Sequence, residues 1–256
     1  MLKRIAVVSD NEEWVARIKE AAGDRDVEAI AVNPGQGLPA ATAAVAIGAE
    51  RLAEATGLLL EQVARYEELL DLVGFAIDTR EQFIPGECRR LKEHATRFAR
   101  ALGLDSEARS KFERGALVHD IGKLKIPNEI LLKKTVLTYD EWVLLQSHTQ
   151  LGAELVRGIE SLKDTEEIVR WHHECYDGTG YPDALEGERI PYLARAMKLI
   201  DAYCAMTSPR HYRKGHSTHE QALEYLKSEK GKHFDPELTS VFIDAGVGRP
   251  TSPTTS

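Results

Sequence analysis

Cysteine is scarce in this chain of 256 residues, and the three that occur, Cys88, Cys175 and Cys204, are widely separated. None falls into a zinc-like spacing, which argues against a disulfide framework or a structural zinc site and makes reduced thiols the default. Aromatic residues are few, at 7% against 43% hydrophobic content, and Ala, Leu, Glu and Arg are abundant, so a soluble, mainly helical protein is expected. No excess of positive charge exists: the formal net charge is -8, which argues against broad binding to DNA or to an anionic membrane. Any nucleotide ligand must then be gripped by local cations. No uninterrupted apolar run reaches the ~20 residues that span a bilayer, and Met1-Leu2-Lys3-Arg4 leads into a strand-like run instead of a signal peptide. A cytoplasmic location without membrane insertion is the expectation. No internal repeat is visible.

The run from Arg4 to Asp10 reads as a buried strand, followed by a helix from about Glu12 and a second strand from Val27 to Asn33. Residues 1–37 are thus expected to form a short βαβ-like segment. It resembles the opening of a response-regulator receiver, with Asp10 after the first strand, but the later strands that would present a phosphoacceptor are missing. Asn33-Pro34-Gly35-Gln36-Gly37 breaks the pattern, and residues 38–77 read as a helical linker. Val45, Leu52, Leu59, Tyr66 and Val73 recur every seven residues within it. This stripe fits either a coiled-coil seam between two chains or a long helix laid on its own domain. Residues 78–246 alternate amphipathic helices with short loops and show no convincing strand, so an all-helical domain is expected there. The tail, residues 247–256, is rich in Pro, Ser and Thr and is expected to be disordered.

Histidine is the informative residue. His119-Asp120 is followed by Ile121-Gly122-Lys123, then by His148, by His172-His173-Glu174, by Asp177-Gly178-Thr179-Gly180-Tyr181-Pro182, and by Asp201 at the end of an apolar run. A lone His-Asp pair is usually a hydrogen-bonded pair and nothing more. Four imidazoles with several carboxylates make a mixed nitrogen and oxygen ligand set, which suits iron or manganese better than structural zinc. An imidazole offers one lone pair and a carboxylate two oxygens, so Asp120 is the natural bridge between two divalent ions. Two such ions can activate water and clamp a phosphoryl oxygen, which is hydrolytic chemistry on a phosphoester.

The order of these motifs resembles the HD-GYP family of cyclic di-GMP phosphodiesterases, over about Thr79 to Ala245. Ile126-Pro127, Leu137-Thr138 before Glu141-Trp142, Gly152-Ala153-Glu154 and Phe234-Asp235-Pro236 extend the match. The resemblance implies an all-helical HD-type domain that opens cyclic di-GMP to pGpG or further to GMP, with His119, Asp120, His148, His172, His173 and Asp201 as metal ligands and Asp120 bridging. It places Lys123 beside the substrate phosphate as a catalytic cation. Asp177, Gly178, Gly180, Tyr181 and Pro182 form its defining loop, where Tyr181 offers a ring to a base; in that family the loop is also implicated in contact with GGDEF-domain proteins. Arg210 and Arg213 match its arginine segment and are candidates to hold substrate phosphates, the bland alternative being a solvated basic turn.

Four departures stand out. Glu87 occupies the place of the family's first metal-binding histidine and is the candidate ligand there. Phe83 replaces a glutamate that recruits a third ion in some members, Cys204 replaces the second aspartate of an Asp-x-x-Asp pair, and Pro209 and His211 break the arginine segment's usual pattern. The leading expectation is an enzyme. The alternatives are a non-catalytic nucleotide sensor or GGDEF-partner module, and a phosphohydrolase acting on another nucleotide.

Overall fold

A computed structural model describes residues 66, 68–80, 87–208 and 217–249. The βαβ-like segment, most of the helical linker, Phe83 and the segment with Pro209, Arg210, His211 and Arg213 lie outside the described residues. The chain divides into two compact units, residues 1–69 and 70–256, and the second holds nearly everything described.

Among the described residues the structure is helical, without a strand; two isolated bridges, Asp177 with Glu186 and Lys230 with Phe234, are the nearest approach to a sheet. The helices, in order, are α1 (68–80), α2 (Glu87–Ala101), α3 (Ser106–Val118), α4 (Asn128–Leu131), α5 (Tyr139–Gln146), α6 (His148–Arg157), α7 (Glu166–Trp171), α8 (Tyr192–Thr207), α9 (His219–Ser228) and α10 (Pro236–Asp244). Single 3-10 turns at Ile121–Lys125, Lys163–Thr165 and Gly187–Arg189 join them. No described helix is long and apolar enough to cross a membrane.

Helix α8 is the centre of the core. Ala194, Ala196, Met197, Leu199, Ile200, Tyr203 and Cys204 are all buried, so the helix is apolar over most of its circumference. It packs among Phe98 of α2, Phe112 of α3, Ile168 of α7, Leu226 of α9 and Phe242 of α10. Its polar positions Arg195, Lys198 and Asp201 recur every three residues and therefore share one face. Each reaches a different part of the fold. Arg195 donates to the Ile190 carbonyl (3.0 Å) and pairs with Asp235, Lys198 donates to the His173 carbonyl (3.1 Å), and Asp201 approaches His119 (4.0 Å).

Helix starts follow local chemistry. Thr138 and Glu141 form a reciprocal capping box at α5, as Thr218 and Gln221 do at α9. Asp235 accepts from the amides of Glu237 (2.8 Å) and Leu238 (2.9 Å), with Pro236 in the first helical position where no amide is needed. Phe234-Asp235-Pro236 is thus a buried anchor, a cap and a helix starter. At the other end, the packed chain reaches past the expected tail boundary: Val247 is buried, and the carbonyls of Val247, Gly248 and Arg249 accept from His94, Tyr203 and Arg97. These contacts secure three residues assigned to a disordered tail from composition alone. His94 also lies edge-on to the Tyr203 ring (5.4 Å).

Candidate metal centre

Four segment ends converge on one point. His119 closes α3, Asp120 opens the following 3-10 turn, His148 is the first residue of α6 and His172 closes α7. Helix ends are suited to this because the backbone turns away there and leaves the side chain directed at a common centre. The close approach depends on glycine. A Cβ on Gly122 would lie 1.8 Å from the His148 carbonyl oxygen, and one on Gly152 would lie 2.8 Å from Val169. The Gly of His-Asp-x-Gly-Lys therefore lets the turn bearing Asp120 lie against the start of α6.

Each of three histidines is oriented by a backbone carbonyl one turn earlier in the chain. Nδ1 of His119, His148 and His172 each meets the carbonyl oxygen three residues earlier, of Ala116 (2.9 Å), Leu145 (2.7 Å) and Val169 (2.9 Å). A carbonyl only accepts, so Nδ1 donates, and for a neutral ring the Nε2 lone pair points inward. Nε2 of His148 and of His172 lie 3.2 and 3.6 Å from Oδ1 of Asp120. All three atoms are buried without a hydrogen-bond partner among the described residues. Two lone pairs and a carboxylate oxygen facing one another in a dry pocket repel unless a cation lies between them. One ligand atom from each of Asp120, His148, His172 and His173 falls within 4.8 Å of the others, which suits a single divalent ion.

Electrostatics agree with that reading. Burial pushes His172 down to about 4 and holds His173 well below the ordinary imidazole value, with the neighbouring histidines adding to the effect. Both are therefore neutral and able to ligate. Burial opposes charge on His119 too, but the Asp120 carboxylate 3.1 Å away and then Asp201 outweigh it and raise His119 to about 9. Burial likewise opposes charge on Asp120, yet the His119 imidazolium and the Lys123 ammonium, 2.7 Å from Oδ2, hold its carboxyl well below the usual range. The two oxygens thus face different surroundings: Oδ1 looks at the rings of His148 and His172, and Oδ2 at His119 and Lys123.

The loop after His173 forms a wall. Tyr181 stacks on the His173 ring (4.8 Å), and burial raises its phenol well above the usual value. The loop is tied down by Glu174, whose buried carboxylate accepts from the amides of Asp183 (2.7 Å) and Leu185 (3.1 Å) on either side of Ala184, a residue at φ 50°. Asp177 accepts from the Thr179 amide (3.0 Å) and hydroxyl (2.6 Å), and Asp183 pairs with Arg170 and Trp171. Gly178 sits at φ 78°, a conformation that favours glycine. Gly180 is needed for a different reason: a Cβ there would lie 2.2 Å from the Cys175 amide nitrogen.

Of the residues picked out from the sequence, Asp120, His148, His172 and His173 share one cluster, with His119, Asp201 and Lys123 on its Oδ2 side and Tyr181 against it. Glu87 is not in that cluster; its Oε1 accepts from Arg90 (2.9 Å) and from the Ser208 hydroxyl. Cys204, one turn beyond Asp201, is buried, and burial pushes its thiol far up. Lys198, which sequence reasoning passed over, anchors the carbonyl of His173. The available signal was a polar position three residues before Asp201 in an otherwise apolar run.

A family model described as HD domain matches residues 72–238. This chain belongs to the HD domain family. The HD domain is 36% identical over 181 residues to the cyclic di-GMP phosphodiesterase response regulator RpfG of Xanthomonas campestris, covering 70% of this chain and 48% of that protein. It is 30% identical over 193 residues to 3'3'-cGAMP-specific phosphodiesterase 2 of Vibrio cholerae, covering 75% of this chain and 37% of that one. The chain thus spans less than half the length of these curated relatives. Its fold is similar to the crystal structure of a cyclic GMP-AMP specific phosphodiesterase of V. cholerae, with a TM-score of 0.54 at 19% identity over 69% of this chain and 47% of that chain. The HD-GYP resemblance of the motifs is therefore matched by relatives and fold alike.

Proposed function

We propose that this HD domain is a metal-dependent phosphodiesterase that hydrolyses cyclic di-GMP to pGpG or further to GMP. The observation that carries the reading is the trio of buried, unpartnered ligand atoms on Asp120, His148 and His172, beside His173. They fit an iron or manganese ion. A bound divalent ion supplies Lewis-acid polarisation of a phosphoryl oxygen and lowers the pKa of water. Asp120, His148, His172 and His173 would hold one ion, and Oδ2 of Asp120 with His119 and Asp201 would hold a second once His119 gives up its proton. Lys123 stands 2.7 Å from Asp120, where its ammonium can meet a substrate phosphate, stabilise charge that grows on the phosphoryl oxygens, or give a proton to the leaving ribose oxygen. Arg210 and Arg213 would hold the substrate's phosphates as bidentate cations. Tyr181 orients His173 through one ring face and would offer the rest of its ring to a base. The loop from Asp177 to Pro182 is also the proposed contact for GGDEF-domain proteins, and residues 38–77 the proposed dimer helix.

Relatives named for cyclic di-GMP and for 3'3'-cGAMP support the cyclic dinucleotide class and divide on the base. The deciding experiment is metal analysis of anaerobically purified protein, coupled to product detection with both dinucleotides. Hydrolysis of cyclic di-GMP is expected, and Asp120→Ala should abolish both metal content and turnover. Two ions retained in that variant would refute the assignment. A second reading, a sensor module that binds without cleaving, is favoured by the engagement of Glu87 with Arg90 and Ser208. Metal without hydrolysis would establish it.

A further inference from the structure

Glu87 begins α2, and its side chain is only 17% exposed. Its partners lie across the fold. Arg90 Nη2 is 2.9 Å from Glu87 Oε1, 2.9 Å from the Cys204 carbonyl oxygen and 3.2 Å from Thr207 Oγ1, and it also contacts Ser208 Oγ. Ser208 Oγ lies within hydrogen-bonding reach of both Glu87 Oε1 and the Cys204 carbonyl (2.6 Å). Nη2 carries two protons and the hydroxyl one, so these contacts share protons around a single point: the last turn of α8. The Cys204 carbonyl already accepts from the Ser208 amide, and the carbonyls after it are the ones without an intrahelical partner, so this end of the helix carries partial negative charge, which is where a guanidinium is favourable. The Ser208 backbone is extended (φ -82°, ψ 137°) and its amide still bonds the Cys204 carbonyl (2.9 Å), so this is where the chain leaves the helix.

We propose that Glu87 is a positioning residue and not a metal ligand: with Arg90 and Ser208 it clamps the C-terminal end of α8. Arg210 follows Ser208 by two residues and Arg213 by five, so the clamp sets where the proposed phosphate-binding segment begins. Glutamate suits this role because its carboxylate accepts from Arg90 and Ser208 at once and neutralises the half-buried guanidinium. The inference rests on the phosphodiesterase reading for its effect on substrate, though not for the clamp itself.

Three variants, Glu87→Ala, Glu87→Gln and Ser208→Ala, test it with three readouts. Calorimetric titration of the metal-stripped full chain with Mn2+ should give affinities within about twofold of the parent for all three, because no ligand is removed. Amide hydrogen exchange over residues 204–208 should accelerate in Glu87→Ala and Ser208→Ala and be largely rescued in Glu87→Gln, whose amide oxygen still accepts. The Michaelis constant for cyclic di-GMP should rise about fivefold to tenfold in the same two variants, with kcat changed less. A fall in Mn2+ affinity of about tenfold or more in Glu87→Ala, with Ser208→Ala unaffected, would identify Glu87 as a ligand and overturn the proposal. Unchanged exchange at 204–208 would also overturn it. If the parent itself binds no metal and cleaves no dinucleotide, the phosphodiesterase reading fails while the exchange data still decide the clamp.

Discussion

Single residues decide whether the ligand atoms meet. Gly122 is the sharpest case, since any side chain there runs into the main chain of His148. Backbone, unlike the end of a flexible side chain, cannot swing aside. Gly122→Ala should destabilise the fold by upwards of about 2 kcal/mol and displace His148 from Asp120. Chemical denaturation and Mn2+ titration of the same preparation check both effects; parent-like stability with intact metal binding would show that the turn and α6 can separate without cost. The ligand types were legible at this scale, because His and Asp at motif spacing carry their chemistry in their names. The division of labour between the two Asp120 oxygens was not, since it depends on atoms contributed by three separate segments.

Helices place these residues, and their caps and cross-links set how firmly. Asp235 does two jobs, capping α10 and pairing with Arg195, whose side chain is 13% exposed. Asp235→Ala removes the cap, worth about 1 kcal/mol, and leaves a mostly buried guanidinium without its carboxylate, so a loss of about 3 kcal/mol is expected. Asp235→Asn keeps the capping oxygen and should lose clearly less. Urea titrations of the two variants separate cap from charge: equal losses would mean that the cap contributes nothing, and a parent-like Asp235→Asn would mean that the ion pair contributes nothing. The Phe-Asp-Pro motif was visible in the sequence as a family signature; its meaning as a cap joined to α8 required knowing that α8 passes beside it. Arg80 is comparable, donating from the end of α1 to the carbonyls of Lys123 (3.1 Å) and Ile126, a link between distant segments that no local pattern announces.

At the level of the whole molecule, residues 247–249 pack against the core through contacts that include a group that responds to acid, His94. Burial, reinforced by Arg90 and opposed by the Val247 carbonyl, pushes His94 down to about 4, with Arg97 and His219 contributing less. A depressed folded-state value means that the unfolded chain binds the extra proton between about pH 6.5 and 4. Stability from this group is therefore complete above pH 6.5 and is lost as the pH falls through that window. One proton over about 2.5 pH units corresponds to roughly 3 kcal/mol. His94→Phe, which keeps a ring against Tyr203, should flatten the pH dependence of unfolding below 6.5 by about that amount relative to the parent; parallel curves would show that His94 titrates normally.

The sequence alone determined the helical character of the domain, its family and the His and Asp residues that gather into a cluster able to hold a metal, because hydrophobic periodicity and residue chemistry are local properties that survive in one dimension. It also carried the loop glycines, although it could not say that Gly178 answers a backbone angle and Gly180 a close approach. Only the tertiary structure decided which carboxylates share an environment. Glu87 and Asp120 are both acids near helix ends, and spacing cannot distinguish them. The packing of α2 on the end of α8 brings Arg90 and Ser208 to Glu87, and the meeting of α3, α6 and α7 brings imidazoles to Asp120. A carboxylate's role follows from its neighbours in space, and those are chosen by the fold.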